Sequence, residues 1–326
     1  MKKYLKMYPI IFLAMLGLIL SCSDDDNGGG NSGSTIVEIA QANPNLSTLV
    51  RALEITDLIS TLNGSGPFTV LAPTNAAFDV FLTTANFPSI EDVPVPVLRQ
   101  VLLNHVMGLT LDAAALRILG RNYATTLADG PGGDSNLSLY FDATNASIEF
   151  NGNASVLEED IDASNGVIHT VGRVVDLPTI VTFVTTDINF DQLEQALTTA
   201  TPGTDFAAVL SGTGPFTVFA PADTAFDDLL ATNPDWATVD DIDEDLLTAV
   251  LNHHVVNGNN RSESITDGST LITLEGDSIS FSTGSGQTTI TDGSENTDIV
   301  LAVTDLQAAN GVVHLITKVM IPDLTN

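Results

Sequence analysis

One phrase occurs twice in this chain of 326 residues, and its repetition restricts the possible folds more than any other feature. "GPFTVLAPTNAAF" spans 66–78 and "GPFTVFAPADTAF" spans 214–226, and nine of the thirteen positions are identical. Two further pairs follow in the same order, "VLLNHVMG" with "LNHHVVNG" and "NGVIHTVGRVVDLP" with "NGVVHLITKVMIPD". The repeated unit is about 145 residues long, the size of a whole domain rather than of a solenoid repeat. We therefore predict two tandem domains, at 36–180 and 181–324.

The repeated phrase predicts a buried strand followed by a helix. "PFTVLAP" is a short run with aromatic and β-branched residues, bounded by Gly66-Pro67 and by Pro73. Thr74 is predicted to cap the following helix, and Asp223 to do so in the second copy, where Ala222 replaces that threonine. Further helices and then several strands follow in each unit. The predicted fold class is α+β, with a sheet or sandwich flanked by helices.

Four histidines occupy matching positions in the two copies. His105 and His254 each end an apolar stripe with helical spacing, and His169 and His314 lie on the inward face of a strand after an Asn-Gly turn. We interpret all four as structural histidines with hydrogen-bond partners in the core. No HExxH pair, no P-loop Lys-Ser/Thr and no GxSxG elbow occurs. We therefore expect no catalytic residue, metal ligand or cofactor.

An acidic run, "DDIDEDLL" at 240–247, has acids at alternating positions as in a calcium loop. It lacks the glycine that such a loop needs at its sixth position, and it continues into a helical pattern. The favoured interpretation is that these acids stabilise the positive N-terminus of the helix. Calcium binding is the alternative.

The N-terminus has the features of a targeting segment. Lys2, Lys3 and Lys6 precede an apolar run at 10–20 that is too short to span a bilayer, and the only cysteine, Cys22, follows it. "LILSC" resembles a bacterial lipobox, which implies that 1–21 is a lipoprotein signal peptide and that Cys22 is acylated. The alternative is an ordinary signal peptide with a chance cysteine.

Residues 22–35 are predicted to form the acylated cysteine and a flexible acidic, Gly/Ser-rich tether with a reach of roughly 20 Å. Ser23 to Asp26 resemble the acidic surface-export signal of some double-membraned bacteria. That resemblance implies an outer-membrane lipoprotein exposed at the cell surface. The alternative is a solvated spacer.

The chain is strongly acidic, with 41 Asp and Glu against 10 Lys and Arg and a formal charge of −31. Loss of three signal-peptide lysines would leave 41 acids against 7 bases, a charge of −34. Such a field repels phosphate backbones, which excludes nucleic-acid binding as a favoured function. Because it also repels anionic membrane surfaces, we expect membrane attachment through the lipid anchor only.

The three repeated pairs resemble the two signature boxes and the central His motif of fasciclin domains, over about residues 36 to 324. The resemblance implies compact wedges of strands and helices in secreted or membrane-anchored proteins, often in tandem, with roles in adhesion and partner binding. We therefore expect a non-enzymatic adhesion or interaction protein whose partner is an extracellular protein or polysaccharide. The alternatives are an envelope or matrix carbohydrate-binding protein and a hydrolase. Only Trp236 supplies tryptophan for carbohydrate stacking, and no assembled nucleophile and base supports a hydrolase.

The resemblance also points to two positions at which some animal members bind receptors. One is a Tyr-His pair, matched here by Asn104-His105 and His253-His254, so both copies lack the tyrosine. The other is an Asp-Ile pair, matched by Asp160-Ile161 and, in the second copy, by Asp305-Leu306. We predict these four residues as candidate partner contacts, with the two acids on surface loops before a turn.

Overall fold

The computed structural model describes residues 33–212, 214–284 and 286–325, all within one compact unit. The predicted signal peptide, Cys22 and most of the predicted tether lie outside the described residues. The helices of the first copy (36–180) are α1 (Ile36–Ala42), α2 (Ser47–Ile55), α3 (Ile59–Leu62), α4 (Asn75–Thr84), α5 (Val95–Asn104) and α6 (Ala113–Leu119). Those that begin in the second copy (181–324) or at its boundary are α7 (Ile180–Thr186), α8 (Asp191–Thr198), α9 (Phe206–Leu210), α10 (Asp223–Leu230) and α11 (Glu244–His253).

The strands of the first copy close into a barrel in sequence order. They are β1 (Phe68–Pro73), β2 (Val106–Met107), β3 (Arg121–Asp129), β4 (Asn136–Asp142), β5 (Glu149–Phe150), β6 (Ala154–Ala163) and β7 (Gly166–Val171). Strand β1 closes the barrel because it pairs antiparallel with β2 and parallel with β7. The helices flank this barrel, so the α+β prediction is confirmed.

The second copy repeats this order with an open sheet. Its strands are β8 (Phe216–Pro221), β9 (Val255–Asn257), β10 (Thr270–Ile272), β11 (Ser278–Gly284), β12 (Gln287–Thr291), β13 (Ile299–Ala308) and β14 (Gly311–Ile316). Between the edges β9 and β10 only an isolated bridge, Val256 to Thr273, is formed. In the first copy β2 and β3 also meet at a single residue pair, Met107 with Thr126, so the two copies are similar at this seam.

The two signature boxes of each copy are partners in space, which explains why they recur together. Strands β1 and β7 run parallel, and the Phe68 N–H donates to the Asn165 carbonyl at 3.0 Å. The backbones approach so closely that a Cβ on Gly66 would lie 2.2 Å from the Asn165 oxygen. A Cβ on Gly166 would lie 2.0 Å from the Phe68 oxygen. Glycine is therefore needed at both contacts.

Asn165 and Asn310 do more than form the predicted turns. The Asn165 side chain accepts from the Ile36 N–H at 3.0 Å and donates to the carbonyls of Leu62 (2.7 Å) and Gly64 (2.9 Å). Asn310 accepts from the Ile180 N–H, also at 3.0 Å. Each asparagine thus joins the first helix of its copy to the end of the central strand pair.

The helix that follows the first box is capped differently in the two copies. Thr74 caps α4 by accepting from the Ala77 N–H at 3.2 Å, as predicted. The prediction that Asp223 caps α10 is wrong, because Ala222 occupies the N-cap and Asp223 is the first helical residue. The Asp223 carboxylate instead accepts from the Gln192 N–H at 2.9 Å, so it joins α10 to α8.

The apolar stripes predicted before the histidines are buried. Leu98, Val101 and Leu102 lie in the core of the first copy, and Leu247, Val250 and Leu251 lie in that of the second. Each copy has a second buried cluster inside its strands, centred on residues such as Phe141 and Phe281. Packing of these clusters is the main source of stability in each copy.

A buried interface joins the two copies. Tyr123 on β3 packs edge-on against Phe183 on α7, with ring centroids 5.3 Å apart, and contacts the core of the second copy. From the second copy, the Gln307 N–H on β13 donates to the Ser138 hydroxyl on β4 at 3.0 Å. The Ser135 hydroxyl donates to the Gln307 side-chain oxygen, also at 3.0 Å. These contacts give the two copies a fixed relative orientation.

None of the helices among the described residues is both long enough and apolar enough to cross a membrane.

Candidate interaction surface

His105 and His254 hold the segment that follows the last strand of each copy. Nδ1 of His105 donates to the Val101 carbonyl at 2.7 Å, and Nε2 accepts from the Val175 N–H at 2.8 Å. His254 repeats this with the Val250 carbonyl (2.7 Å) and the Met320 N–H (2.9 Å). Burial lowers the pKa of each imidazole to about 4, partly opposed by its bond to the helix carbonyl. Both side chains are therefore neutral near pH 7.

His169 on β7 and His314 on β14 connect these last strands to the candidate acids Asp160 and Asp305. Nδ1 of His169 accepts from the Asp160 N–H at 3.2 Å, and Nε2 donates to the Leu111 carbonyl at 2.9 Å. His314 accepts from the Asp305 N–H at 3.3 Å and donates to the Asn260 carbonyl at 2.9 Å. Both are fully buried, and burial lowers the pKa of His314. Their structural role stays a prediction, which these contacts support.

Asp160 lies inside a strand rather than on the loop that we predicted, and the same correction applies to Asp305. Both acids lie at irregularities in the pairing of β6 with β7 and of β13 with β14. Their φ angles are 57° and 65°, in the left-handed region that aspartate tolerates better than most residues. A residue here is left out of the regular ladder, so it is displaced without leaving the strand.

Each of these carboxylates accepts a hydrogen bond from the backbone of an earlier segment in its own copy. Asp160 accepts from the Ala113 N–H at the start of α6 at 2.8 Å. Asp305 accepts from the Ser262 N–H at 2.9 Å and from the Ser262 hydroxyl. The side chain of Asp160 is nevertheless 44% exposed, whereas Asp305 is half-buried. Asp160 is therefore the more accessible of the two acids.

The apolar partners of these acids point inward. Ile161 packs against the core of the first copy, and Leu306 is 6% exposed in the core of the second. The surface at this position consists of the acids and their neighbours, with Ile161 and Leu306 supporting it from below. The binding role of these four residues stays a prediction.

The positions that match the family's Tyr-His pair are buried in both copies. Asn104, His105, His253 and His254 are each at most 2% exposed. Asn104 donates from its amide to the Asp176 carbonyl at 3.1 Å. In this chain these positions serve the interior of each copy and offer no surface for a receptor.

A cluster that sequence reasoning missed brings together His253, Glu275 and Asp277, whose potential ligand atoms lie within 4.8 Å of one another. The Gly293 N–H donates to Nε2 of His253 at 3.2 Å, so in a neutral ring Nδ1 carries the proton. Nδ1 faces the Glu275 carboxylate at 3.4 Å. A metal-bound histidine normally donates its other N–H to an acceptor, but here the other nitrogen faces a donor. The cluster therefore fits a His–Glu contact better than a metal ion.

The acidic run at 240–247 lies at a helix N-terminus, as predicted. Asp243 caps α11 by accepting from the Leu246 N–H at 3.2 Å, and Glu244 and Asp245 lie in the first turn. Asp241 accepts from the N–H groups of Ala237 and Thr238. These carboxylates thus satisfy backbone donors of the helix and of the turn before it.

The described aromatic side chains do not form an exposed platform of the kind that stacks on sugars. Each Phe, Tyr and Trp among the described residues is at least partly buried. Trp236 packs against the core of the second copy. No observation therefore favours carbohydrate binding over other kinds of recognition.

Comparison with known proteins agrees with this architecture. A family model described as "Fasciclin domain" matches residues 44–178 and 189–322. The solved structure of a FAS1 domain pair from the insect cell adhesion molecule fasciclin I is similar, with a TM-score of 0.51 and 19% identity. That alignment covers 85% of this chain and 97% of the other, and it supports the tandem fold.

Several curated proteins are similar in sequence. Protein sll1483 of Synechocystis is 36% identical over 44% of this chain and 74% of its own length. Porcine transforming growth factor-beta-induced protein ig-h3 is 27% identical over 80% of this chain, and human periostin is 27% identical over 85%. This chain spans 36% and 31% of the lengths of those two animal proteins. With both copies matched by the family model, the chain belongs to the fasciclin domain family and carries two of its domains in tandem.

Proposed function

We propose that this protein is a non-enzymatic, lipid-anchored adhesion protein that binds a macromolecular partner outside the cytoplasm through its fasciclin domains. The observation that carries the proposal is the buried interface between the two domains, centred on Tyr123, Phe183 and Gln307. Because this interface fixes the two domains relative to each other, a partner can bind a preorganised surface to which both domains contribute.

The names of the similar proteins support an adhesion role. The solved domain pair comes from an insect cell adhesion molecule, and its alignment includes both of its domains. Fasciclin domains are adhesion-type rather than catalytic modules, and the described histidines are engaged by backbone groups.

Attachment is proposed to occur through Cys22. An acylated cysteine followed by the acidic tether would hold the domain pair away from the bilayer by a distance similar to the tether's reach, roughly 20 Å. The acidic composition supports this arrangement, since an anionic membrane surface would repel the domains. The proposed location is the outer membrane of a double-membraned bacterium, with the domains at the cell surface.

The proposed partner is an extracellular protein or a polysaccharide. A protein is favoured because the described aromatic side chains are engaged in packing, whereas sugar recognition commonly uses exposed aromatic faces. Asp160 is the proposed contact in the first domain, because its side chain is 44% exposed on a rigid strand.

Adhesion of cells tests this proposal directly. Cells with the wild-type protein should adhere to sister cells or to matrix-coated surfaces better than cells from which it is deleted. Purified protein carrying Cys22→Ala should compete with that adhesion, since it retains both domains but lacks the anchor. Equal adhesion of wild-type and deleted cells, with no partner captured by surface cross-linking, would rule the proposal out.

A further inference from the structure

A cleft with a volume of about 120 Å³ opens on the surface of the first domain. It lies between α4 and the segment that follows β7, and the residues important here are Val80, Phe81, Ala85, Asn153, Arg173 and Asp176. The volume is enough for several waters, since one water needs roughly 10–15 Å³ on this measure. A carboxylate and a short side chain would fill it.

Arg173 supplies a positive charge to this cleft. Among residues 33–212, 214–284 and 286–325 there are seven Lys and Arg residues, and Arg173 alone makes neither a hydrogen bond nor an ion pair. The others engage carboxylates or, for Arg99, a backbone carbonyl: Arg51, Arg99, Arg117, Arg121, Arg261 and Lys318. In so acidic a chain, a guanidinium that pairs with no carboxylate differs from the other six basic side chains, and its place beside a cleft suggests a ligand.

The second domain shows how the same position is used without a ligand. Lys318 occupies the place of Arg173 and forms an ion pair with Asp298. The residue that matches Asp298 in the first domain is Asn153, which cannot neutralise a cation. The apolar wall also differs, because Asp228 occupies the place of Val80. The fold therefore requires neither the unpaired arginine nor its apolar neighbour.

We propose that this cleft binds a carboxylate attached to a short apolar group, as at the C-terminus of a peptide. The Arg173 guanidinium and the Asn153 amide donate to the carboxylate, and the apolar side chain packs on Val80 and Phe81. Asp176 accepts the backbone N–H of the terminal residue. Charge-assisted bonds of this kind are shorter and stronger than neutral ones.

The surroundings of Asp176 support binding at this place. Desolvation by burial raises the pKa of Asp176, and the charge of Arg173 opposes part of that rise. The Asp176 side chain is nevertheless exposed at the rim of the cleft, where it can accept a hydrogen bond from a ligand. The many acids elsewhere in the chain repel a bound carboxylate only weakly, since salt at 0.1 M screens exposed charges that lie more than about 10 Å away.

A peptide terminus fits the cleft better than an acidic sugar. The side chain of Val80 is exposed although it is apolar, and Phe81 and Ala85 continue the same wall. A uronic acid carries hydroxyl groups around its ring, and on this wall only the Thr84 hydroxyl could bond to them. The inference extends the proposed function but does not depend on it, because it concerns binding in solution and not cell adhesion.

Calorimetric titration of the full-length protein with N-acetyl-glycyl-valine tests the inference. The free acid should bind, and its C-terminal amide should bind about tenfold more weakly or not at all, because a hydrogen bond to a charged group is lost. Arg173→Gln should weaken binding of the acid by a similar factor. Lys318→Gln is the matched control in the second domain and should leave binding unchanged.

Three results would overturn the inference: equal binding of acid and amide, unchanged binding to Arg173→Gln, or no detectable binding of the acid to the wild type. Glucuronate that binds as tightly as the peptide acid would also overturn it, since the apolar wall would then contribute nothing. Thermal unfolding of Arg173→Gln checks that the variant is folded, which we expect for an exposed side chain.

Discussion

The Tyr123 hydroxyl in the first domain donates a hydrogen bond to the Asp187 carboxylate in the second, with 2.9 Å between the two oxygens. Asp187 is 4% exposed, and its other oxygen accepts from the backbone and side-chain N–H groups of Asn189. Burial, followed by the charge of Asp187, raises the pKa of Tyr123 well above its ordinary value. The hydroxyl therefore remains a donor at any physiological pH, and the contact ties the two domains together.

Replacing Tyr123 with Phe should uncouple the domains. The ring packing on Phe183 is kept, but a hydrogen bond to a buried charge is lost, which typically costs about 1.5–3 kcal/mol. We expect the single unfolding transition of the wild type to broaden or divide in calorimetry. Tyr140→Phe is a second probe of the same interface, because burial and then the charge of Asp187 also raise the pKa of Tyr140. If both variants unfold like the wild type, the contact does not couple the domains.

His105→Ala and His254→Ala should each destabilise their own domain. Each change leaves a backbone N–H, of Val175 or Met320, without its imidazole acceptor, and the typical cost is about 1–3 kcal/mol. Trp236 packs on the second core and is the only tryptophan, so its fluorescence reports unfolding of the second domain. The His254 variant should shift this signal more than the His105 variant. A variant of unchanged stability that has lost a bound metal would contradict the structural role.

The same two histidines should make the protein less stable in acid. Their pKa is lowered from 6.5 to about 4 in the folded protein, so below pH 6.5 the unfolded chain binds protons that the folded chain does not. Stability from this source is fully present above pH 6.5 and is lost as the pH falls towards 4. The loss is at most about 3 kcal/mol for each histidine. Denaturant unfolding between pH 7 and 4 should show a flatter profile for His254→Gln, and a profile parallel to wild type would refute the assignment.

Much of the fold could be predicted because it depends on local sequence patterns. Residue spacing predicts the buried strands, the apolar stripes and the inward histidines. Each pattern occurs in both copies, which strengthens the prediction. Local periodicity does not specify the single residue pairs, Met107 with Thr126 and Val256 with Thr273, that bring the ends of each sheet together. The Tyr123–Asp187 contact joins residues far apart in the chain.

The candidate site was predicted less well than the fold. A resemblance identified Asp160 and Asp305, but an Asp in left-handed conformation within a strand has no distinct sequence signal. The expectation of a loop therefore failed. The cluster around His253 was also missed, because its contacts with Glu275 and Gly293 depend on a turn and a loop that only the folded second domain brings together.

Mass spectrometry of the mature N-terminus should find an acylated Cys22. The prediction rests on the only cysteine in the chain, which lies at the end of the predicted signal peptide. Cys22→Ala should release the protein from the membrane fraction, since each buried CH₂ of an acyl chain contributes about 0.8 kcal/mol to attachment. An unmodified mature terminus further along the chain would show an ordinary signal peptide instead.

Asp160 and Asp305 can be tested for partner binding without disturbing the fold. Alanine would remove the carboxylate that holds the Ala113 or Ser262 N–H, and it would occupy a left-handed conformation poorly. Asparagine keeps an acceptor oxygen and tolerates that conformation, so Asp160→Asn removes mainly the charge. We expect Asp160→Asn to reduce adhesion of displaying cells at unchanged melting temperature. Asp305→Asn should have a smaller effect on adhesion because the side chain is half-buried. If both variants fold and adhere normally, these acids serve the backbone alone and the partner binds elsewhere.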